Sequence, residues 1–382
     1  MVLFPETVQL VAGGNSSYLI DEAGDAGIYV LLALGLNVVV GYAGLLDLGY
    51  AAFFAVGAYT YGMLASNQLS FTPLHHAVHI PFWLLLFVAM VVAAGFGVLL
   101  GFPTLRVRGD YLAIVTLGFG EILPRVATNA TVWTNGINGI GGLDIPSLPV
   151  WLNGPWAGLN LGLVKNFLFL DPVSYYVLMV ILVVGCVILV HNLYNSRFGR
   201  AWVAIREDER AAAAMGLNPV SIKLLAFAIG ASLSGFAGCY YAAKLSLVDP
   251  TEFSFVVSVT VLIMVALGGM GSIPGVIAGA LLLYYFEFNL LPGLPQMAVT
   301  VAGDLGLGYL NQPHGGWPGL ASEAENVEYL CFGLILLLIM LLRPEGLIPS
   351  ALRRQELAGD RAFRSRQKAK KALPGRSGGS VS

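Results

Sequence analysis

The chain has 382 residues, of which 57% are hydrophobic and only 11% charged, and it holds 47 glycines. Soluble domains carry roughly 25% charged residues, so this composition excludes an ordinary soluble enzyme and predicts an all-α, polytopic membrane protein. The formal net charge of −2 is uninformative, because basic and acidic residues are sorted along the chain rather than mixed.

Residues 1–26 read as an extracytoplasmic N-terminal segment, with four acids and no Lys or Arg. They lack the basic start and long apolar stretch of a signal peptide. About 20 apolar residues cross a ~30 Å hydrocarbon core. Stretches of that kind are expected near 27–44, 48–66, 81–101, 111–127, 172–192, 223–243, 255–269, 273–291 and 327–342, about nine spans (8–10). The seventh is short, so the pair around "LGGMGSIPG" is expected to contain a broken or re-entrant helix. With nine spans and the N-terminus outside, 17 of the 20 Lys and Arg fall on inner segments and the C-terminus is cytoplasmic. This makes 27–343 the transmembrane domain and 344–382 a basic, solvated tail that anionic headgroups can attract. The outer loops 129–171 and 292–326 are rich in Gly, Pro, Trp and Asn.

Cys186, Cys239 and Cys331 each sit in an apolar run, without the spacing of a disulfide framework or zinc site. His75 and His79 have helical spacing but no companion ligand. There is no GxxxxGK[ST], no HExxH and no paired-acid centre. No catalytic residue, cofactor, metal or nucleic-acid partner is therefore expected, and the lipid bilayer is the surrounding medium.

Charge concentrates in one place. Seven of the fifteen residues from Ser196 to Arg210 are charged. Alanine is abundant from Phe198 to Gly216, so one cytoplasmic helix over about 198–216 is predicted, capped by Gly216 and stopped by Pro219. Arg206 and Arg210 would share a face, and Glu207 would pair with Arg210. Interleaved acids and bases beside the smooth Ala211–Ala214 surface suit protein docking better than an anionic membrane. The residues expected to couple to a partner are Phe198, Gly199, Arg200, Arg206, Glu207, Glu209, Arg210, Ala212 and Gly216.

Two glycine-rich turns, "GYAGLLDLG" and "GGMGSIPG", form a faint parallel repeat facing the cytoplasm. They either pack helices or line a pathway, which makes Gly44, Asp47, Gly49, Gly268, Gly269, Gly271 and Gly275 candidate path residues. Glu121, four residues before Arg125, is either half of a self-neutralising pair or part of an outer mouth. Asp47 is placed to cap a helix beginning at Leu48.

The segment "RAAAAMG" resembles the EAA-x-x-x-G signature of ABC importer permeases, with Arg210 where that signature has Glu. "FGRAWVAIREDERAAAAMGLN", "GYAGLLDLGYAAFFAVGAY", "RGDYLAIVTLGFGEI" and "LGGMGSIPGVIAGA" together resemble the LivM-type permeases of branched-chain amino-acid ABC importers. Leu45, Asp47 and Tyr50 stand where that family commonly has Gln, Ser and His. The resemblance implies two ABC ATPase subunits, a second related permease, and a periplasmic or lipid-anchored substrate-binding protein as partners. It further implies a multi-pass location in a bacterial inner membrane and alternating access driven by ATP. Permeases of urea or short-amide importers are the nearest alternative. An ion-coupled secondary transporter is a third class, which the sparse ionisable residues in the spans disfavour.

Overall fold

The computed structural model describes residues 16–73, 75, 78–105, 110–146 and 172–293, with isolated positions at 300, 333, 334, 337 and 346–348. The ninth expected span, the tail, most of the 147–171 and 294–326 loops, and Arg106 and Arg108 lie outside the described residues.

Helix α1 is Ser16–Leu36 and runs on into a π-helical turn, Asn37–Tyr42. The remaining helices are α2 Tyr50–Leu64, α3 Gln68–Phe71, α4 Phe82–Thr104, α5 Asp110–Asn129, α6 Thr131–Thr134 and α7 Pro172–Asn195. Then come α8 Arg197–Glu207, α9 Glu209–Ala214, α10 Pro219–Leu245, α11 Phe255–Gly268 and α12 Ile273–Tyr285, which ends in a second π turn, Phe286–Leu290. Among the described residues, six helices are long and apolar enough to cross a membrane: those over Ser17–Tyr42, Phe82–Thr104, Tyr111–Asn129, Pro172–Asn195, Pro219–Leu245 and Ile273–Leu290.

Helices stand at eight of the nine expected spans, but not with the expected lengths. The first begins at Ser16 rather than residue 27, because acids at Asp21 and Asp25 find a buried cation. The helices α2 and α11 are short, at 15 and 14 residues. At 1.5 Å per residue neither reaches across a ~30 Å core alone. Each borders a glycine-rich break: α2 starts after residues 43–49, and α11 stops at Gly269, where φ is +115°. The all-helical reading holds, with the small addition of two ribbons, β1 (Ala65–Ser66) with β2 (Val78–His79), and β3 (Ile140–Gly141) with β4 (Leu247–Val248).

Helix α10 is the central post, packed on α4, α2 and α1. A Cβ at Gly57 would stand 2.1 Å from Gly235 O, and one at Gly238 would stand 2.1 Å from Phe54 O. Backbones of α2 and α10 therefore touch. Lipid tails are as apolar as side chains, so membrane helices associate through such close packing. The helices alternate in direction and leave two ends: one holds the α1–α2 break, α8, α9 and the α11–α12 turn, and the other holds both ribbons and Lys244.

Candidate functional site

At the first end the charged segment folds back along the bundle. The Ser196 side chain accepts from Phe198 N at 3.2 Å and starts α8. Gly199 is obligatory there, since a Cβ would meet Tyr194 O at 2.0 Å. Trp202 is fully buried and donates Nε1–H to Ile222 O at 2.8 Å. Ile205 and Ala212 are buried with it.

The single helix expected over 198–216 is two. Asp208 leaves the helical region (φ −152°, ψ 105°), and its carboxylate accepts from Arg210 N at 2.8 Å and Ala211 N at 3.0 Å. A short acid that captures backbone N–H groups starts a new helix rather than continuing the old one. Arg206 and Arg210 therefore do not share a face. Glu207 does not pair with Arg210 either; the ion pair that forms is Glu209 with Lys223, at 2.7 Å. Gly216 ends α9 as expected, at φ +89°. Leu217 N bonds Ala212 O and Gly216 N bonds Ala213 O, which satisfies the last carbonyls of α9.

The coupling candidates divide by direction. Phe198, Glu207, Glu209, Arg210 and Gly216 are exposed, as is Arg200, which donates to Asn195 O at 3.1 Å. An open cleft of about 510 Å³ is lined by Glu207 through Arg210, Ala213 and Pro219. Arg206 turns inward instead. Its guanidinium donates to Gly41 O, and its stem covers Gly44, whose φ is +70° and where a Cβ would lie 2.8 Å from Arg206 Cγ.

The two glycine-rich turns meet beside Arg206. Asn37, fully buried at the start of the π turn, accepts from Gly271 N at 2.8 Å. Gly268 and Gly275 pack backbone to backbone: a Cβ at Gly268 would lie 2.3 Å from Gly275 O. Gly269 and Gly271 take positive φ in the turn itself. These four glycines thus hold α11 on α12 and shape the turn.

Asp47 and Gly49 sit apart from them. Asp47 is 1% exposed and accepts from Gly49 N at 2.9 Å. Helix α2 begins only at Tyr50, so Asp47 closes a tight turn before the helix rather than capping one at Leu48. Burial pushes its carboxyl up to about 6, while the Gly49 N–H and the Thr116 hydroxyl beside it pull the other way. Gly49 rests on α5, where a Cβ would meet Thr116 O at 2.1 Å. Glu121 lies more than a turn further along α5, paired with Arg125 at 3.4 Å with both side chains substantially exposed. The candidate path residues are therefore not one constellation.

Sequence reasoning missed three anchors. Asn37 was an unremarked polar residue in an apolar run, and Lys223 counted only as one of the inner basic residues. Lys244 stood out only as a basic residue on the wrong side. It is 7% exposed and pairs with Asp21 at 2.9 Å and Asp25 at 2.6 Å, both within the expected extracytoplasmic segment 1–26. His79 bonds Asp144 at 2.7 Å and ties β2 to the loop before residue 147. Among the described residues no cluster of His, Cys, Asp and Glu could hold a metal.

The family described as "Branched-chain amino acid transport system / permease component" matches residues 18–340. The chain is 39% identical over 334 residues to the high-affinity branched-chain amino acid transport system permease protein LivM of Escherichia coli, covering 84% of this chain and 68% of that one. It is 26% identical over 366 residues to the probable LivM of Methanocaldococcus jannaschii, covering 85% and 91% respectively. It is also 26% identical over 259 residues to the LivH permease of E. coli, covering 67% and 79%. No solved structure matches. The chain belongs to the family of permease components of branched-chain amino acid transport systems.

Proposed function

We infer that the chain is the membrane-spanning permease subunit of an ABC importer for branched-chain amino acids, working in a bacterial inner membrane with its N-terminus outside. Two ATPases supply the energy, a related permease of LivH type completes the pathway, and a periplasmic or lipid-anchored binding protein delivers the substrate. The chain itself hydrolyses nothing. The observation that best supports this reading is the wiring of α8 and α9. Their exposed side, residues 207–211 and 213–215, offers mixed charges and small residues to a partner. Their inner side is joined to α10 through Trp202 and the Glu209–Lys223 pair, and to the π turn of α1 through Arg206. Movement of a docked ATPase would thus be delivered to α10 and to the π turn that ends α1.

The test is a pull-down from native membranes in mild detergent, with wild type beside a chain carrying both Arg206→Glu and Glu207→Arg. Wild type is expected to bring down a P-loop ATPase, and the variant to lose ATP-driven uptake while staying folded. Normal ATPase recruitment and normal uptake by the variant would sink the docking role.

A further inference from the structure

Asp47 lies in the break between α1 and α2, and one of its carboxylate oxygens, Oδ2, is buried without a hydrogen-bond partner. The residue borders a cavity of about 10 Å³ whose wall includes Thr104, Thr116, Phe53 and Phe119. That is about the space of one water molecule.

The hydroxyls on this wall point at helix carbonyls. Thr104 donates to Gly101 O at 3.0 Å, and Thr116 donates to Ala113 O at 3.1 Å. Thr116 Oγ1 also accepts from Leu48 N at 3.1 Å. The Gly49 N–H is taken by the other Asp47 oxygen. What remains around Oδ2 is lone pairs. Among the described residues no Lys, Arg or His pairs with Asp47. Turning the Thr116 hydroxyl toward Oδ2 would set one neutral donor against a full buried charge.

A buried carboxylate needs a positive partner or a proton. The lone pairs of the Thr104 and Thr116 oxygens can serve a positive partner. One carboxylate offsets one positive charge, whereas divalent calcium takes six or more oxygens, usually from several acids. The aromatic rings add weak attraction for a cation. We propose that Asp47, Thr104 and Thr116 bind a single dehydrated monovalent metal cation of Na⁺ size. The cation would tie the start of α2 to α4 and α5 at the point where Gly49 crosses α5. The site rests on the cavity and its oxygens; only its effect on uptake rests on the permease reading.

The experiment uses the full-length chain in its membrane complex, purified in mild detergent, with radioactive Na⁺ as the probe. Saturable binding of about one ion per chain is expected, lost in Asp47→Asn and weakened at least about fivefold in Thr104→Val. Wild type should melt about 2 °C higher in NaCl than in choline chloride of the same ionic strength. Asp47→Asn should melt alike in both salts and no lower than wild type in choline, which guards against a misfolded variant. No saturable binding to wild type, binding that survives Asp47→Asn, or equal melting of wild type in both salts would overturn the site and leave water or a proton as its occupant. Neither ATPase nor amino acid enters these measurements. A chain that binds Na⁺ but recruits no ATPase would fail the permease reading alone.

Discussion

The two ends of α1 are held by different chemistry. At its start, Asp21 and Asp25 both close on Lys244, whose side chain is 7% exposed. At its finish, the π turn is held through backbone groups: Arg206 on the Gly41 carbonyl, and Asn37 on the Gly271 N–H. Separating buried charges leaves each one uncompensated, which is expensive. Opening a hydrogen bond to a backbone group costs less, on the order of 1 kcal/mol. In an alternating-access cycle the Lys244 end would then act as the fixed clamp and the Arg206 end as the movable joint. A π turn at the movable end fits this assignment, since such turns mark departures from regular helix at working sites.

The largest perturbation removes what both ends depend on. Gly57→Leu drives a side chain into the Gly235 carbonyl, 2.1 Å from where its Cβ would sit. The backbone of α10 cannot yield there, and a loss above about 4 kcal/mol is expected, seen as the disappearance of monodisperse protein from detergent extracts. Gly185→Leu is the control, because a Cβ at Gly185 meets nothing within 4 Å. It should leave the yield unchanged.

Breaking the clamp comes next. Lys244→Met strands two carboxylates, and a loss of about 3 kcal/mol is expected. This is the lower end for buried pairs, because Asp21 and Asp25 are themselves partly exposed, at 49% and 35%. Adding Asp25→Asn should recover about 1 kcal/mol in the thermal melt. If Lys244→Met melts like wild type, the contrast between the two ends of α1 fails.

Asp47 provides a pH-dependent probe near the joint. Its folded-state value, about 6, is raised from 3.8, so folding disfavours the ionised form. Stability is therefore greatest below about pH 4 and falls as pH rises through 6. The total is roughly 3 kcal/mol at 1.36 kcal/mol per unit. In choline buffer Asp47→Asn should remove that slope; an unchanged slope would assign it to other groups.

Loosening the joint itself should separate function from stability. Arg206→Ala removes the bond to Gly41 and the cover over Gly44. A stability loss of about 1 kcal/mol is expected, with uptake reduced at least about tenfold while the ATPase still co-purifies. Glu207→Ala, on the exposed side, should instead weaken ATPase recruitment. Identical behaviour of the two variants would mean that α8 has no inward and outward division of labour.

Much of this was legible in the sequence, and the misses have physical causes. Apolar runs located eight helices because hydrophobic length is nearly all a bilayer selects for. The breaks at 43–49 and 269–272 were legible as glycine clusters. What failed was pairing. Asp21 and Asp25 looked like solvent-exposed acids because their cation lies more than 200 residues away, at Lys244. The split of α8 from α9 was hidden by the helix propensity of the alanines that follow, although Asp208 is a residue type that starts helices. Arg206 was expected to face a partner by helical periodicity, and its inward turn depends on a glycine at position 44 that leaves room for its stem.

Gly216 gives the smallest effect and isolates the outer edge of the joint. Its φ is +89°, and it ends α9 where Leu217 and Gly216 bond back to Ala212 and Ala213. A Cβ there would meet nothing within 4 Å, so Gly216→Ala carries no packing penalty, only the cost of a left-handed conformation. That cost is about 1 kcal/mol. Because α9 is six residues long, the strain would be relieved by fraying its last turn rather than by unfolding the bundle. The bundle's melting temperature should therefore hardly move, while protease cleavage near Met215 should increase. Coupled ATPase activity should fall only about twofold, since the inward contacts of Trp202 and Arg206 stay in place. A tenfold fall would show that the α9 cap, and not the Arg206 contact, transmits the movement.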